Sequence, residues 1–274
     1  MNKNFFKKSI LLSVALSVTI IGSDQKSMLG SFHQENTFSP VKSNLILSPS
    51  AVLYSSYLSN VYETANLYAS GLNLDVFAKA VTGYLNLKKT KKINQDNSIL
   101  TIVDFNKSSC SKRMWIIDLQ NATLLLNTWV AHGQGSGDDM PNQFSNIDSS
   151  HQSSLGFYVT GEIYNGKHGR SLRLDGMDNG FNSNARSRDV VVHAADYVSQ
   201  EVINSTGRLG RSFGCPAVSP ELAPKIINLI KDKTVLFISG TDSRYESKYL
   251  DQDFAANSLF PNADFQDPAA PVIL

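Results

Sequence analysis

The chain has 274 residues, of which 42% are apolar and 18% charged, enough to build a sizeable core and a composition that argues against whole-chain disorder. Removing Lys3, Lys7 and Lys8 takes the 25 basic residues to 22 against 24 acidic ones, moving the formal charge from +1 to −2. With no basic block elsewhere, that balance argues against nucleic acid as a partner.

Those three lysines precede a twelve-residue apolar run, Ile10 to Ile21, followed by Gly22, Ser23 and Asp24. As a helix the run spans about 18 Å, short of the roughly 30 Å hydrocarbon core. A basic start, a short apolar run and small or polar residues predict an export signal over 1–23, so the mature chain is expected in the periplasm or cell envelope with no membrane span. Residues 24–50 are polar and aperiodic, with Pro40 and Pro49, and read as a linker.

A helical segment is predicted over 51–97. Spacing begins near Val52 and is clearer from Leu74, where Leu74, Phe77, Ala78, Val81, Tyr84 and Leu85 share one face, with Asn73 or Asp75 as cap. Four lysines between Lys88 and Lys92 suit the negative pole of that helix. From Ile99 the apolar period becomes two. Strands are predicted at Ile99–Phe105, Met114–Leu119, Thr123–Ala131, Leu155–Tyr164, Ser171–Leu174, Val190–His193 and Val235–Ser239. Loops rich in Gly, Ser, Asn and Asp fall at 107–112 and 133–146, the first part of the latter read as a flexible loop. Ser219 as cap and Pro220 at the first helical position predict a late helix with Leu222, Ile226, Leu229 and Ile230 buried. The prediction is thus a mainly β domain over 98–240 with flanking helices, α+β overall, and a polar tail over 241–274.

Two cysteines, Cys110 and Cys215, permit at most one bridge. No Cys-x-x-Cys or His-Glu-x-x-His pattern predicts a metal, and no cofactor is expected. The most informative stretch is Arg208-Leu-Gly-Arg-Ser-Phe-Gly-Cys-Pro-Ala-Val-Ser219. Gly210, Gly214 and Pro216 force a turn around Cys215 that exposes a side chain and frees backbone N–H groups. Arg208 and Arg211 are expected to favour the thiolate. Val190-Val191-Val192-His193 reads as a strand ending in an imidazole. A cysteine and a histidine brought together, with N–H donors aimed at an oxyanion, suffice for acyl transfer. On residue types alone Cys215 reads more readily as a buried packing cysteine.

Ser212-Phe-Gly-Cys215, with His193 twenty-two positions before the cysteine, resembles the catalytic signature of the bacterial murein L,D-transpeptidases. Leu100–Phe105, Tyr158–Glu162, Gly166–Gly169, Leu172–Gly176, Asn184–Arg186 and Gly207–Arg211 are similar to one branch of that family, over about half the chain. The resemblance implies that Cys215 is the nucleophile, His193 its base, and the backbone N–H groups of Gly214 and Cys215 the oxyanion hole. It also implies the substrate, a peptidoglycan stem peptide whose terminal D-Ala leaves, and an amine acceptor for the thioester. Water as acceptor would make the chain an L,D-carboxypeptidase. A binding protein that lost its chemistry and an ordinary cysteine peptidase are the other readings.

Phe213 departs from the family pattern, in which histidine often precedes Gly-Cys. His168 or His132 could supply that imidazole from another loop, and Phe213 could equally be a packing residue. Arg211 is a candidate for holding a substrate carboxylate, and Ser212 for contacting the substrate. Arg173 and Asp175, two apart on a strand, read as a same-face structural pair. Cys110 is read as incidental.

Overall fold

The computed structural model describes residues 47–263. The predicted export signal and nearly all of the predicted linker lie outside those residues, as does 264–274. Helix α1 (Pro49–Thr64) starts inside the stretch read as linker. Ser48 caps it, its Oγ accepting the Ala51 N–H at 3.2 Å, and Pro49 fills a first-turn position where its missing N–H costs nothing. Helix α2 (Leu74–Lys89) is capped by Asn73, whose Oδ1 accepts from Asp75 N at 2.8 Å and Val76 N at 3.2 Å.

The predicted stripe of α2 is partly right. Phe77, Val81, Tyr84 and Leu85 are buried, but Leu74 is 44% exposed and a second face through Thr82, Gly83 and Asn86 is buried as well. The cause is the C-terminal segment. Instead of a tail, the chain forms a 3₁₀ turn (Lys248–Leu250) and a helix, α5 (Gln252–Leu259), that pack on α1 and α2. Asn86 Nδ2 donates to Tyr249 O at 2.9 Å and Asp251 O at 2.8 Å, clamping the segment down. A mid-helix asparagine reads as surface in a sequence; here it is a buried donor.

The strands are β1 (Ile99–Asp104), β2 (Met114–Asp118), β3 (Thr123–Thr128), β4 (Gly156–Gly166), β5 (Gly169–Gly176), β6 (Val191–Ala194), β7 (Ala217–Val218) and β8 (Val235–Ser239). They form one sheet in the order β3-β2-β1-β8-β4-β5-β6-β7. Neighbours are antiparallel except β1–β8 and β6–β7. Alternation sorts the side chains: Leu100, Ile102, Trp115, Phe157 and Phe237 face α1, α2 and α5, whereas Val103, Ile116, Tyr158, Leu236 and Ile238 face the opposite way. Helix α4 (Ala223–Ile230) covers that second face with Ile226, Ile227 and Ile230. A sheet buried on both faces explains why β1 and β8 read as continuous apolar runs.

Helix α4 begins later than the Ser219-Pro220 pattern predicts. Residues 220–222 form a turn in which Leu222 N and Ala223 N both donate to Ser219 O, and Pro224 fills the first helical turn. Helix α3 (Gln200–Thr206) and β7 had no sequence prediction; both are too short to show a period. Among the described residues no helix is long and apolar enough to cross a membrane.

Gly83 is where α2 meets the sheet. A Cβ there would lie 2.0 Å from Phe157 Cζ, in a ring stacked on Phe237 with centroids 4.4 Å apart. Alanine gains about 1 kcal/mol of helix propensity, but overpacking a filled core costs about 1–3 kcal/mol. The clash with a fully buried ring decides the sign, and Gly83→Ala is expected to lower the denaturant midpoint of unfolding.

Candidate active site

Strand β6 carries His193 on its third residue, and β7 begins two residues after Cys215. Their parallel register, His193 with Ala217 and Ala194 with Val218, swings the cysteine loop across the end of β6. That loop is pinned on both sides. Ser212 N donates to His132 O at 2.9 Å, and Gln134 N donates to Ser212 O at 2.8 Å. Gly214 has φ +121°, a conformation that favours glycine. A Cβ on Gly133 would lie 2.8 Å from Gly214 Cα, so the two loops pack backbone against backbone. The 133–139 segment is therefore a 3₁₀ turn (Gln134–Ser136) built into the cysteine loop's support, not the flexible loop its glycines suggested.

Cys215 lies on the wall of a cavity of ≈ 640 Å³ that His193, Tyr197 and Phe213 also line. The β4–β5 hairpin supplies another wall through Tyr164, Lys167 and His168. Its tip, Lys167-His168, is followed by Gly169 at φ +74°, a left-handed conformation that favours glycine. His168 stacks on His193 with ring centroids 4.4 Å apart. Of the two histidines proposed from sequence to stand in opposite Phe213, His168 is thus in the cavity.

The Cys215 thiol is half-buried and free, as is Cys110. Its sulfur accepts the Val191 N–H and its S–H donates to Asp189 O, each at 3.4 Å. Burial pushes the thiol pKa up, and the opposing pull of the Val191 N–H and the Arg188 charge does not overcome it. The expected lowering by Arg208 and Arg211 is not found, because Arg208 turns back onto Leu209 O at 2.7 Å and the cations nearest the sulfur in effect are Arg188 and Lys167. His193 Nδ1 lies 2.9 Å from Ala194 O. A carbonyl only accepts, so Nδ1 carries the proton and Nε2 of the neutral ring keeps a lone pair. Burial lowers the His193 pKa, and the His168 and Lys167 charges lower it further. No hydrogen bond joins Sγ to the ring; the resting pair is neutral thiol and neutral imidazole.

The expected oxyanion donors are in different states. The Cys215 N–H has no acceptor among the described residues, whereas the Gly214 N–H is taken by Ser212 Oγ at 3.0 Å. Ser212 is buried on the cavity wall and donates its O–H to Cys215 O at 2.7 Å, which braces the turn. Arg211 lines the cavity, but its Nη1 is held by Gly137 O at 2.8 Å and Asp138 Oδ1 at 2.9 Å. Arg173 and Asp175 do not pair with each other. Arg173 bonds Asp189 at 2.8 Å, and Asp175 bonds Arg186.

His132 lies outside the cavity, fully buried, with Nδ1 2.8 Å from Arg113 Nη2 and Nε2 3.3 Å from Gly137 O. Guanidinium only donates, so this ring is neutral with its proton on Nε2. Burial, reinforced by the Arg113 charge, lowers its pKa to about 4. Between that value and the ordinary 6.5, the unfolded chain binds a proton that the native state refuses. Stability present above pH 6.5 is therefore lost as pH falls toward 4, by about 2 kcal/mol between pH 7 and 5. Denaturant unfolding at the two pH values should show this slope in the wild type and a reduced one in His132→Gln.

Phe213 is 62% exposed and stacks on His151, centroids 4.3 Å apart, so an imidazole does stand beside it, from a residue sequence reasoning did not consider. Arg188, Asp189, Tyr164 and Tyr197 were also missed as cavity residues. Asp189 at least carried a signal, since it directly precedes the strand that ends in His193.

A family profile described as the L,D-transpeptidase catalytic domain matches residues 68–239. Among solved structures, an L,D-transpeptidase from Mycobacterium smegmatis is 13% identical with a TM-score of 0.32, the match covering 52% of this chain and 59% of that one. The helical cell shape determining protein Pgp2 from Campylobacter jejuni is 14% identical over 65% of this chain and 63% of its own, TM-score 0.37. An L,D-transpeptidase (Yku) from Stackebrandtia nassauensis is 11% identical over 69% of this chain and 93% of its own, TM-score 0.33. The chain thus spans 59% of the length of the mycobacterial protein. No curated protein sequence matches it.

Proposed function

Because the chain belongs to the L,D-transpeptidase catalytic-domain family, we propose that it is a cysteine acyltransferase of the cell envelope acting on peptidoglycan stem peptides. The observation that carries this reading is Cys215 and His193 on the wall of one ≈ 640 Å³ cavity, with the His193 Nδ1 proton fixed on Ala194 O and Nε2 left basic. In this reading Cys215 Sγ adds to the carbonyl carbon that precedes the terminal D-Ala, and its proton passes to His193 Nε2. The S–H first rotates away from Asp189 O. The developing oxyanion takes the unpaired Cys215 N–H; the Gly214 N–H joins when it leaves Ser212 Oγ. Collapse breaks the amide bond, and the leaving amine of D-Ala takes the proton from Nε2. A thioester remains on Cys215. An acceptor amine then attacks that thioester, gives its proton to His193, and restores the thiol. A chain with this role acts outside the cytoplasm, which is what the basic-then-apolar start at 1–23 supports.

Intact-mass measurement after mixing with a stem tetrapeptide tests the proposal. The expected result is a peptide adduct on Cys215 lacking D-Ala, with D-Ala free in solution. Adding an amine-bearing stem peptide should then yield a cross-linked dimer; trimmed tripeptide alone would assign water as the acceptor. No adduct and no D-Ala would rule out the acyl transfer.

A further inference from the structure

One end of the helical layer concentrates charge in a chain whose 25 basic and 24 acidic residues otherwise balance. Helix α2 stops at Lys89, and Lys88, Lys89, Lys91 and Lys92 surround its end. Asn94 N donates to Lys233 O at 3.1 Å, which brings the turn between α4 and β8, with Lys231 and Lys233, against that end. Two of the six are engaged: Lys231 meets Asp232 at 3.5 Å, and Lys88 bonds the Tyr84 hydroxyl at 3.2 Å. Lys89, Lys91, Lys92 and Lys233 are exposed and pair with no carboxylate among the described residues. Asp96 and Asp232 are the acidic residues of the same two turns.

The helix pole accounts for Lys88 and Lys89. It does not account for Lys91 and Lys233, at φ +56° and +58°, a conformation that suits glycine and strains lysine. Charge is thus kept at two turns where glycine would relieve the backbone. Apolar surface lies at the same end. Tyr62 stacks on Phe77 with centroids 5.5 Å apart, and the Tyr54 and Thr82 hydroxyls bond at 2.8 Å. Helix α1 therefore runs antiparallel to α2, and its first turn lies where α2 stops. Leu47, Val52 and Leu53 in that region are 58%, 50% and 41% exposed. Further along α1 the exposed positions are Ser55, Ser56, Ser59, Asn60, Glu63 and Thr64. The exposed apolar side chains of α1 are thus confined to the lysine end.

We infer that this end of the fold docks on an anionic lipid bilayer, with Lys89, Lys91, Lys92 and Lys233 on headgroup phosphates and Leu47, Val52 and Leu53 in the interfacial layer. The two kinds of side chain together choose the partner. A soluble polyanion would engage the lysines and leave the apolar residues wet, and a neutral apolar partner would strand the lysines. A bilayer surface offers phosphates and a shallow apolar layer beneath them, which satisfies both. The docking is peripheral and needs no spanning helix. It is also independent of the acyl-transfer reading, since no residue of the Cys215 cavity takes part.

Acetylation of lysines by a water-soluble succinimidyl ester, read residue by residue by peptide mass spectrometry, tests this on the full chain mixed with vesicles. The footprint reports the docked side chains themselves, so attachment through any other segment leaves them reactive. With vesicles of equal parts phosphatidylglycerol and phosphatidylcholine at low salt, Lys89, Lys91, Lys92 and Lys233 should be protected. Lys107 and Lys112, in the turn between β1 and β2 at the far end of the sheet, should keep their rates. Protection should be lost at about 0.5 M salt, where screening shortens to a few Å. In a chain with Lys89→Gln, Lys91→Gly, Lys92→Gln and Lys233→Gly, the lipid needed to half-protect Lys88 should rise at least about tenfold, each lysine being worth about fivefold. The two glycines also relax the left-handed turns, so this variant keeps its fold. Val52→Gln with Leu53→Gln, both exposed, should raise the lipid requirement at least about fivefold through lost apolar burial. No protection, or equal protection by pure phosphatidylcholine vesicles, overturns the inference. So does protection by inorganic polyphosphate together with an unchanged lipid requirement in the Val52 and Leu53 variant, which would make this a site for a soluble polyanion.

Discussion

Cys215→Ala is expected to release no D-Ala from a stem tetrapeptide, a loss of about a thousandfold or more, with unfolding changed by about 1 kcal/mol at most. The two halves of that expectation have separate causes. The sulfur is the atom on which the thioester would form, and no other thiol can replace it: Cys110 Sγ bonds Gly207 O at 3.2 Å and is not part of the cavity wall. The fold, by contrast, asks little of the sulfur. Its two contacts, with Val191 N and Asp189 O, are long at 3.4 Å each, and the turn around it is braced by Ser212 Oγ through backbone groups that alanine retains. Cys215→Ser separates size from chemistry. The hydroxyl keeps both contacts, yet is a far weaker nucleophile at neutral pH, so it should be as inactive as alanine. Equal D-Ala release by wild type and both variants would remove Cys215 from the reaction.

The sheet was legible because its central strands are apolar on both faces, and β8 falls where the alternation predicted, Val235–Ser239. The cysteine and its histidine were legible for a different reason: glycine and proline around Cys215, and a strand ending in His193, are local patterns. What escaped was set by distant packing. Asn86 became a buried clamp only because the C-terminal segment folds back on α2. The thiol was expected to be favoured as thiolate from nearby arginines in the chain, but chain proximity does not place a charge. Arg208 turns away, and burial sets the direction of the shift. His151 reaches Phe213 from sixty-odd positions upstream through a residue at φ +54°, a placement no periodicity encodes.

The neutral resting pair makes the pH dependence of a His193→Ala variant the sharpest test of the histidine's role. Burial raises the Cys215 thiol and lowers the His193 imidazole, so the ion pair is the less stable form and the proton stays on sulfur at neutral pH. In the proposed reaction the proton must then leave as the carbon–sulfur bond forms, and Nε2 on the same cavity wall is the base assigned to take it. Removing a general base costs about 10²–10⁴-fold, and that is the loss expected for His193→Ala at pH 7. Above the thiol's raised pKa the sulfur ionises without help, so the deficit should shrink about tenfold per pH unit as the thiolate fraction grows toward that point. The acid side has the opposite control. Acylation in the wild type fails only when Nε2 is protonated, and because the His193 pKa is lowered, by burial first and then by His168 and Lys167, that limb should fall below the ordinary histidine value of 6.5. Rates of D-Ala release across pH 5 to 10 for both proteins, with iodoacetamide alkylation of Cys215 as the thiolate probe, give the comparison. Alkylation should rise late, above the ordinary thiol range, while wild-type acylation is already flat at neutrality. A constant deficit at every pH would assign His193 to holding the loop and not to moving the proton.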